Sequence, residues 1–588
     1  PRAAPRARGL ARRGHAGPED SCVYLGLPRH RSNPRVNAIL ERAEKRFNQL
    51  RLEGNLLLGQ PKTTGTKVGL EDRIYANTYV DLGVAEVVGF DYDYTLVRYK
   101  HTMLDLIYNV SCALLMSKFG YPEEMAAELT RRGYDPQFAI RGVAVDLETA
   151  WVCCLTARYR VSVAYYGRQR VSEDQVRLSY KSRMGAGRVG QEERRARLKP
   201  LNDWFGKVEA CLLADVVQWL KDRDIPFEPK SVLSDVIDAV VSAHVSKAIH
   251  RQVEKNWSHY AEPGELRPLL EKLEAAGKKL MLVSNSPYWY VNSGMSHAVG
   301  DDWKKLFDVV VVDAGKPKFY TDDRPFREVS QNTGRKKFKK ITSIDRDEVY
   351  CEGCIGELMR LTGWGTTLED GYVDGSKIIY LGDSLFADLV EARRLFGWTT
   401  GAIIPEVAEE ANAQSTSDMQ LAWHSLQLIL HCLRGCQEEM VGCRGGETKE
   451  LRCREDDLSA NDRQLLNELE ALAAEQRLRR QNCLNPYFGS VFRTSKDSGK
   501  TSEASLFARF LQRHVDFYTS RVENLLLYSA GHRLYPSDTR SLNLHEYAPS
   551  MDPAALLGLQ GAGPAGAAAM AGVPAEDALL RQRAPSEE

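Results

Sequence analysis

Four short apolar runs, Ala85–Phe90, Lys279–Ser284, Asp308–Asp313 and Lys377–Gly382, each give way to a polar or acidic side chain. Their interiors are mostly β-branched or aliphatic, although the first includes Glu86 and Gly89. That composition suits strands buried on both faces of a parallel sheet. Helical periodicity over Pro263–Ala276 precedes the second run, and Leu385–Phe396 follows the fourth. The alternation predicts an α/β fold with a doubly wound parallel sheet. Ligands of such sheets bind beyond the carboxyl ends of the strands, so the residues that terminate these runs are the candidate functional groups.

The interval between the first and second runs is too long for one crossover. Residues 111–261 are therefore expected to be an inserted domain, with strands around Arg141–Val152 and Arg160–Tyr166 and helices over Leu212–Lys221 and Val232–Lys255. Around it the chain divides into 1–35, a disordered basic start; 36–110, an N-terminal helix and the first part of the core; and 262–410, the rest of the core. Residues 411–550 form a helical extension in which Asp462–Arg480 pairs as a hairpin, and 551–588 an Ala/Gly/Pro-rich disordered tail. The start holds Arg2, Arg6, Arg8, Arg12 and Arg13 with no acid before Glu19. It reads equally as an organelle transit peptide or a basic tail, so the compartment is cytoplasmic or mitochondrial.

With 79 basic and 79 acidic residues, the chain offers no general electrostatic reason to bind nucleic acid or an anionic membrane. It has no run approaching the ~18 apolar residues of a membrane span. The twelve cysteines lack framework spacing and read as reduced thiols, with Cys351-x-x-Cys354 structural.

The first run leads into Asp91-Tyr-Asp93-Tyr-Thr95, the second ends in Ser284-Asn285, the third is followed by Lys316, and the fourth leads into Asp383 with Asp388 five residues on. Paired carboxylates and nearby carbonyls bind a hard cation. Asp91 is placed to attack phosphorus and Asp93 to protonate the leaving oxygen. Ser284 and Asn285 offer hydrogen bonds to phosphoryl oxygens or serve as a helix cap, and Lys316, otherwise a solvated loop charge, offers charge neutralisation by its position at a strand end. Asp383 is a magnesium ligand or a helix cap, and Asp388 orients the lysine or a metal-bound water.

In this order the residues resemble the four motifs of the haloacid dehalogenase (HAD) phosphatase superfamily. The segments Gly89–Leu96, Asp313–Pro317, Gly382–Asp388, Gly397–Glu406 and Gly489–Arg493 are closer still to the 5′-nucleotidase domain-containing proteins and their relative, cytosolic purine 5′-nucleotidase. The resemblance spans most of 75–548, with local insertions such as 184–199 and 330–347. It implies a HAD-like core with the inserted region as an α+β cap, and hydrolysis of nucleoside 5′-monophosphates through an aspartyl phosphate on Asp91. Mg²⁺ would be held by Asp91, the Asp93 carbonyl and Asp383. Thr95, Ser284, Asn285 and Lys316 would hold the phosphoryl group, with Asp388 in support. Phe205 and His244 would meet the base, and the protein would assemble as a homodimer or tetramer. Ile237 and Val241 stand where the purine enzyme carries a basic and an acidic side chain, and His250 where it carries a lysine. Two alternatives stay open: a phosphatase for a non-nucleotide metabolite, and a non-catalytic interaction protein on the same fold.

Overall fold

The structure, a computed structural model, describes residues 68–180, 195–367, 373–442, 460–496 and 501–536. The expectations for 1–35, the N-terminal helix and the tail from 551 lie outside the described residues. Two units divide the chain: the larger runs from Lys67 to Gln420 and resumes at Arg477, and the smaller contains Leu421–Gln476.

In the larger unit, β1 (Tyr75–Ala76) and β2 (Val87–Phe90) are followed by α1 (His101–Phe119). Strands β3 (Val143–Asp146), β4 (Val152–Leu155), β5 (Val161–Tyr166), β6 (Gln169–Arg170) and β7 (Leu198–Pro200) then form a separate five-stranded sheet in the order β6-β5-β4-β3-β7. Its pairings are antiparallel. Pro200, which has no N–H to donate, lies on its edge strand, where that loss is tolerated. Helices α2 (Trp204–Lys221), α3 (Pro229–Val245), α4 (Ala248–Lys255) and α5 (Leu266–Ala275) lead back to the main sheet. The single helix expected over Val232–Lys255 is broken at Lys247, which adopts φ +59°.

The main sheet is completed by β8 (Lys279–Val283), β9 (Val309–Val312), β10 (Phe326–Glu328), β11 (Tyr350–Glu352), β12 (Ile378–Gly382), β13 (Thr399–Ile403) and β14 (Phe517–Thr519). Its nine strands run in the order β1-β14-β13-β12-β2-β8-β9-β11-β10. All neighbours are parallel except the two edge pairs, β1 with β14 and β10 with β11. The fold is thus α/β with a parallel sheet, and the four apolar runs supply its adjacent central strands. Every residue of β2, β9 and β12 is buried, which is why those segments are almost wholly apolar. The region after 410, expected to be helical, also returns β14 to this sheet.

Within the smaller unit, Leu426 and Ile429 of the helix Ser417–Gly442 share a core with Leu465, Leu469, Leu472 and Ala473 of the helix Ala460–Asn482. Among the described residues no helix is long and apolar enough to cross a membrane.

Candidate active site

The in-register parallel pairing Leu381↔Phe90↔Leu282 brings the ends of β12, β2 and β8 side by side. Asp91, the first residue past β2, donates its backbone N–H to the Leu381 carbonyl at 2.9 Å. Its carboxylate therefore stands at the carboxyl edge, next to whatever follows β12. That is Asp383, and then a π-helical turn, Leu385–Leu389, carrying Asp388. Such widened turns recur at functional sites. The Asp388 carboxylate folds back to accept the Ser384 N–H at 3.1 Å and lies against Gly382, where a Cβ would come within 2.7 Å of it. Glycine is what allows that close approach.

Lys316 joins these groups. Its Nζ lies 2.7 Å from Asp91 Oδ1 and 2.6 Å from Asp388 Oδ1, and it also donates to the Val283 carbonyl at 2.9 Å. The Tyr380 hydroxyl, 3.2 Å from Nζ, donates to the same carbonyl at 2.9 Å. Asn285 clamps the Lys316 backbone, accepting its N–H at 2.7 Å and donating to its carbonyl at 3.2 Å. The amide read from sequence as a phosphoryl donor is thus engaged with the lysine's main chain. Ser284 is buried, and its Oγ accepts the Ser286 N–H at 3.0 Å.

One ammonium faces three buried carboxylates, since ligand oxygens of Asp91, Asp383 and Asp388 all lie within 4.8 Å of one another. Burial pushes the Asp91 carboxyl up to about 7; Lys316 opposes this, while Asp388 and Asp93 add repulsion. Burial likewise raises Asp383 well above the carboxylate range, with Asp388 and Asp91 adding to it and Arg141 and Lys316 opposing. For Lys316, burial disfavours the charge, but Asp388 and Asp91 outweigh it and its pKa is raised. Clustered hard oxygens carrying excess negative charge are the donor set that a small divalent cation satisfies.

Asp93 is held beside this cluster. Its two carboxylate oxygens accept hydrogen bonds from Ser286 Oγ and from the Tyr99 hydroxyl, each at 2.6 Å, and Tyr99 lies 3.0 Å from the Tyr290 hydroxyl. The intervening Tyr94 adopts φ +54°, a strained setting for a bulky residue that sends the chain into a tight loop. Thr95 is fully buried within it.

Phe205 and His244 meet each other edge to face at 4.1 Å. They are linked to the acidic loop through Tyr94, whose ring lies 6.3 Å from Phe205 and stacks on Trp204 at 5.0 Å. His244 Nδ1 lies 2.8 Å from the Val240 carbonyl, and burial lowers its pKa. Among the described residues, Thr95 Oγ1, Tyr94 Oη and His244 Nε2 are buried polar atoms without a hydrogen-bond partner.

Sequence reasoning missed Arg141. It enters from the turn before β3, donates to Glu406 through Nε at 3.1 Å and Nη2 at 2.6 Å, and donates to the Asp383 carbonyl through Nη1 at 3.1 Å. The Trp204 and Phe507 rings lie 5.3 and 5.2 Å from its guanidinium. The only sequence signal was a lone arginine before an apolar strand, with its partner 265 residues away.

These features define an α/β protein with a buried carboxylate–lysine cluster at the carboxyl edge of a parallel sheet. A profile of the 5′ nucleotidase family matches residues 74–548. The chain is 31% identical over 484 residues to a 5′-nucleotidase domain-containing protein of Dictyostelium discoideum, covering 81% of this chain and 75% of that one. It is 32% identical to 5′-nucleotidase domain-containing protein 2 of Rattus norvegicus, over 79% of both chains. The Homo sapiens protein of that name is also 32% identical, over 79% of this chain and 84% of its own. The chain belongs to the 5′-nucleotidase family, a family of phosphoric monoester hydrolases.

Proposed function

We propose that the protein is a Mg²⁺-dependent hydrolase of nucleoside 5′-monophosphates that works through an aspartyl phosphate on Asp91. The observation that carries this reading is Asp91 at a strand end, 2.7 Å from Lys316 and clustered with Asp383 and Asp388. On this reading the core is HAD-like and the region 111–261 is its cap. Asp91, Asp383 and the Asp93 carbonyl would hold Mg²⁺, which when bound neutralises charge on the phosphoryl group.

An Asp91 carboxylate oxygen attacks phosphorus, and the bond from phosphorus to the ester oxygen breaks. Asp93 gives its proton to the leaving oxygen, then takes one from the water that hydrolyses the acyl phosphate. The hydroxyls of Ser286 and Tyr99 fix the Asp93 carboxyl through both steps. Lys316, tethered to Asp388 and the Val283 carbonyl, offsets charge on the phosphoryl oxygens and favours the ionised form of Asp91. The unpartnered Thr95 hydroxyl is a donor for the phosphoryl group. Ser284 and Asn285, whose loop also holds the Lys316 backbone, offer further hydrogen bonds to the phosphoryl oxygens, and Phe205 with His244 receives the base.

A second reading, a phosphate ester other than a nucleotide, is favoured by Ile237 and the half-exposed Val241 on α3. Aliphatic side chains there cannot hydrogen-bond a base edge, and discrimination among bases depends on such pairing. Phosphate release from a panel of nucleotides and sugar phosphates, with and without Mg²⁺, decides between the two. Nucleoside monophosphates are expected to lead the panel. Turnover confined to other esters overturns the substrate assignment, and silence across the panel overturns the activity.

A further inference from the structure

Between β10 and β11, within the local insertion 330–347, the chain turns back on itself and presents Arg335-Lys336-Lys337-Phe338-Lys339-Lys340. Phe338 is 99% exposed, the most exposed of the large hydrophobic side chains described. An apolar side chain in that setting is usually mobile enough to fold down onto its surroundings. Here the backbone beside it is held.

Ser330 donates its N–H to the Arg335 carbonyl at 2.9 Å, and Gly334 donates to the Ser330 carbonyl at 2.7 Å. Val329 bridges Lys336, and Lys337 donates its N–H to the Glu328 carbonyl at 2.7 Å. Arg327 Nε donates to the Lys337 carbonyl at 3.2 Å, directly before Phe338. Past the tip, Ile341 returns to the core. The phenylalanine is therefore projected by a pinned ribbon.

The charges around it divide in two. Lys336 pairs with Glu352 at 2.6 Å, and Lys337 pairs with Glu328. Both are bound at the base of the ribbon. Among the described residues Arg335, Lys339 and Lys340 are exposed and make no side-chain ion pair, Lys339 and Lys340 feeling Glu328 and Glu357 only at longer range, so the cations turned to solvent flank the phenylalanine. The zero net charge of the whole chain conceals this local excess.

We propose that the Arg335–Lys340 ribbon docks the protein on an anionic phospholipid surface, with Phe338 entering the interfacial layer while Arg335, Lys339 and Lys340 meet the headgroups. A projecting apolar wedge ringed by cations needs no complementary pocket on a bilayer. A single-stranded nucleic acid calls instead for a cationic groove lined by several stacking rings. Phe326 and Tyr350, the neighbouring aromatics on β10 and β11, are both buried and provide no such platform. The surface acts independently of the catalytic cluster, so the outcome for one does not decide the other. With three exposed cations and one aromatic, the binding is weak, reversible and sensitive to salt.

Co-sedimentation of the full chain with phosphatidylcholine vesicles containing about one third phosphatidylserine tests this. Binding at low ionic strength is expected, with none to phosphatidylcholine alone. Lys339→Glu/Lys340→Glu is expected to weaken it by at least ~30-fold and Phe338→Ala by roughly tenfold. Unchanged thermal melts and phosphatase turnover would show that these exposed substitutions leave the fold intact. No sedimentation with anionic vesicles, equal binding to neutral vesicles, or binding indifferent to both variants overturns the proposal. So does retention on polyuridylate without vesicle binding.

Discussion

Replacing Arg141 by methionine gives a prediction whose size follows from its surroundings. The guanidinium is fully buried and donates three hydrogen bonds, two to the Glu406 carboxylate and one to the Asp383 carbonyl. Methionine keeps most of the packing between Trp204 and Phe507 but removes the charge. The Glu406 side chain, 4% exposed, is then left as a buried anion without its counter-ion. Breaking such a pair from one side costs about 3–5 kcal/mol. Glu406 is also the first residue of the helix Glu406–Ser415, whose N-terminal dipole offsets ~0.3–1 kcal/mol of this. A loss of about 3 kcal/mol is therefore expected. Adding Glu406→Gln removes the stranded charge, so the double variant should be more stable than Arg141→Met alone by at least ~1 kcal/mol. Urea unfolding followed by tryptophan fluorescence measures both steps. An Arg141→Met midpoint within ~0.5 kcal/mol of wild type, or a double variant less stable than the single one, would refute the account of this pair.

Folding raises the Asp91 carboxyl from 3.8 to about 7, so the folded chain holds that proton more tightly than the unfolded chain does. Its stabilising effect is complete below pH 4 and is lost as the pH climbs through 7. In chelator-treated protein Asp91 alone should thus contribute a loss of stability over that window of up to ~1.4 kcal/mol per pH unit, and Asp91→Asn should remove that share of the slope. Lys316→Met removes the ammonium that bridges the cluster, leaving Asp91 and Asp388 to repel each other. It should lower kcat by roughly 10²–10³-fold, which steady-state assays across Mg²⁺ concentrations would register. Ser286→Ala with Tyr99→Phe strips both hydroxyls from Asp93. The kcat should fall while the KM for substrate stays nearly constant, as steady-state assays can check.

What could be read in the sequence follows a physical pattern. β2, β8, β9 and β12 are buried on both faces, so burial wrote them into the chain as apolar runs, and the runs stop where each strand meets the polar groups at the carboxyl edge of the sheet. β14 spans only Phe517–Thr519 between polar residues, and so short a strand leaves no run to see. The break at Lys247 was hidden because the left-handed turn there uses neither glycine nor proline. Asp91, Lys316, Asp383 and Asp388 announced themselves by lying at strand ends. Arg141 and Tyr380 did not: Tyr380 sits inside an apolar strand, and its hydroxyl finds the Val283 carbonyl 97 residues away. Contacts of that kind are properties of the folded sheet and leave no local spacing to recognise.

The central claim is that Asp91 is the nucleophile. It is tested most directly by incubating wild type and Asp91→Asn with Mg²⁺ and a nucleoside monophosphate labelled in its phosphate, then quenching in acid. The account predicts labelled phosphate bound to wild-type protein and released by hydroxylamine, with neither label nor turnover in Asp91→Asn. Turnover that persists in Asp91→Asn, or label attached at another residue, would contradict it.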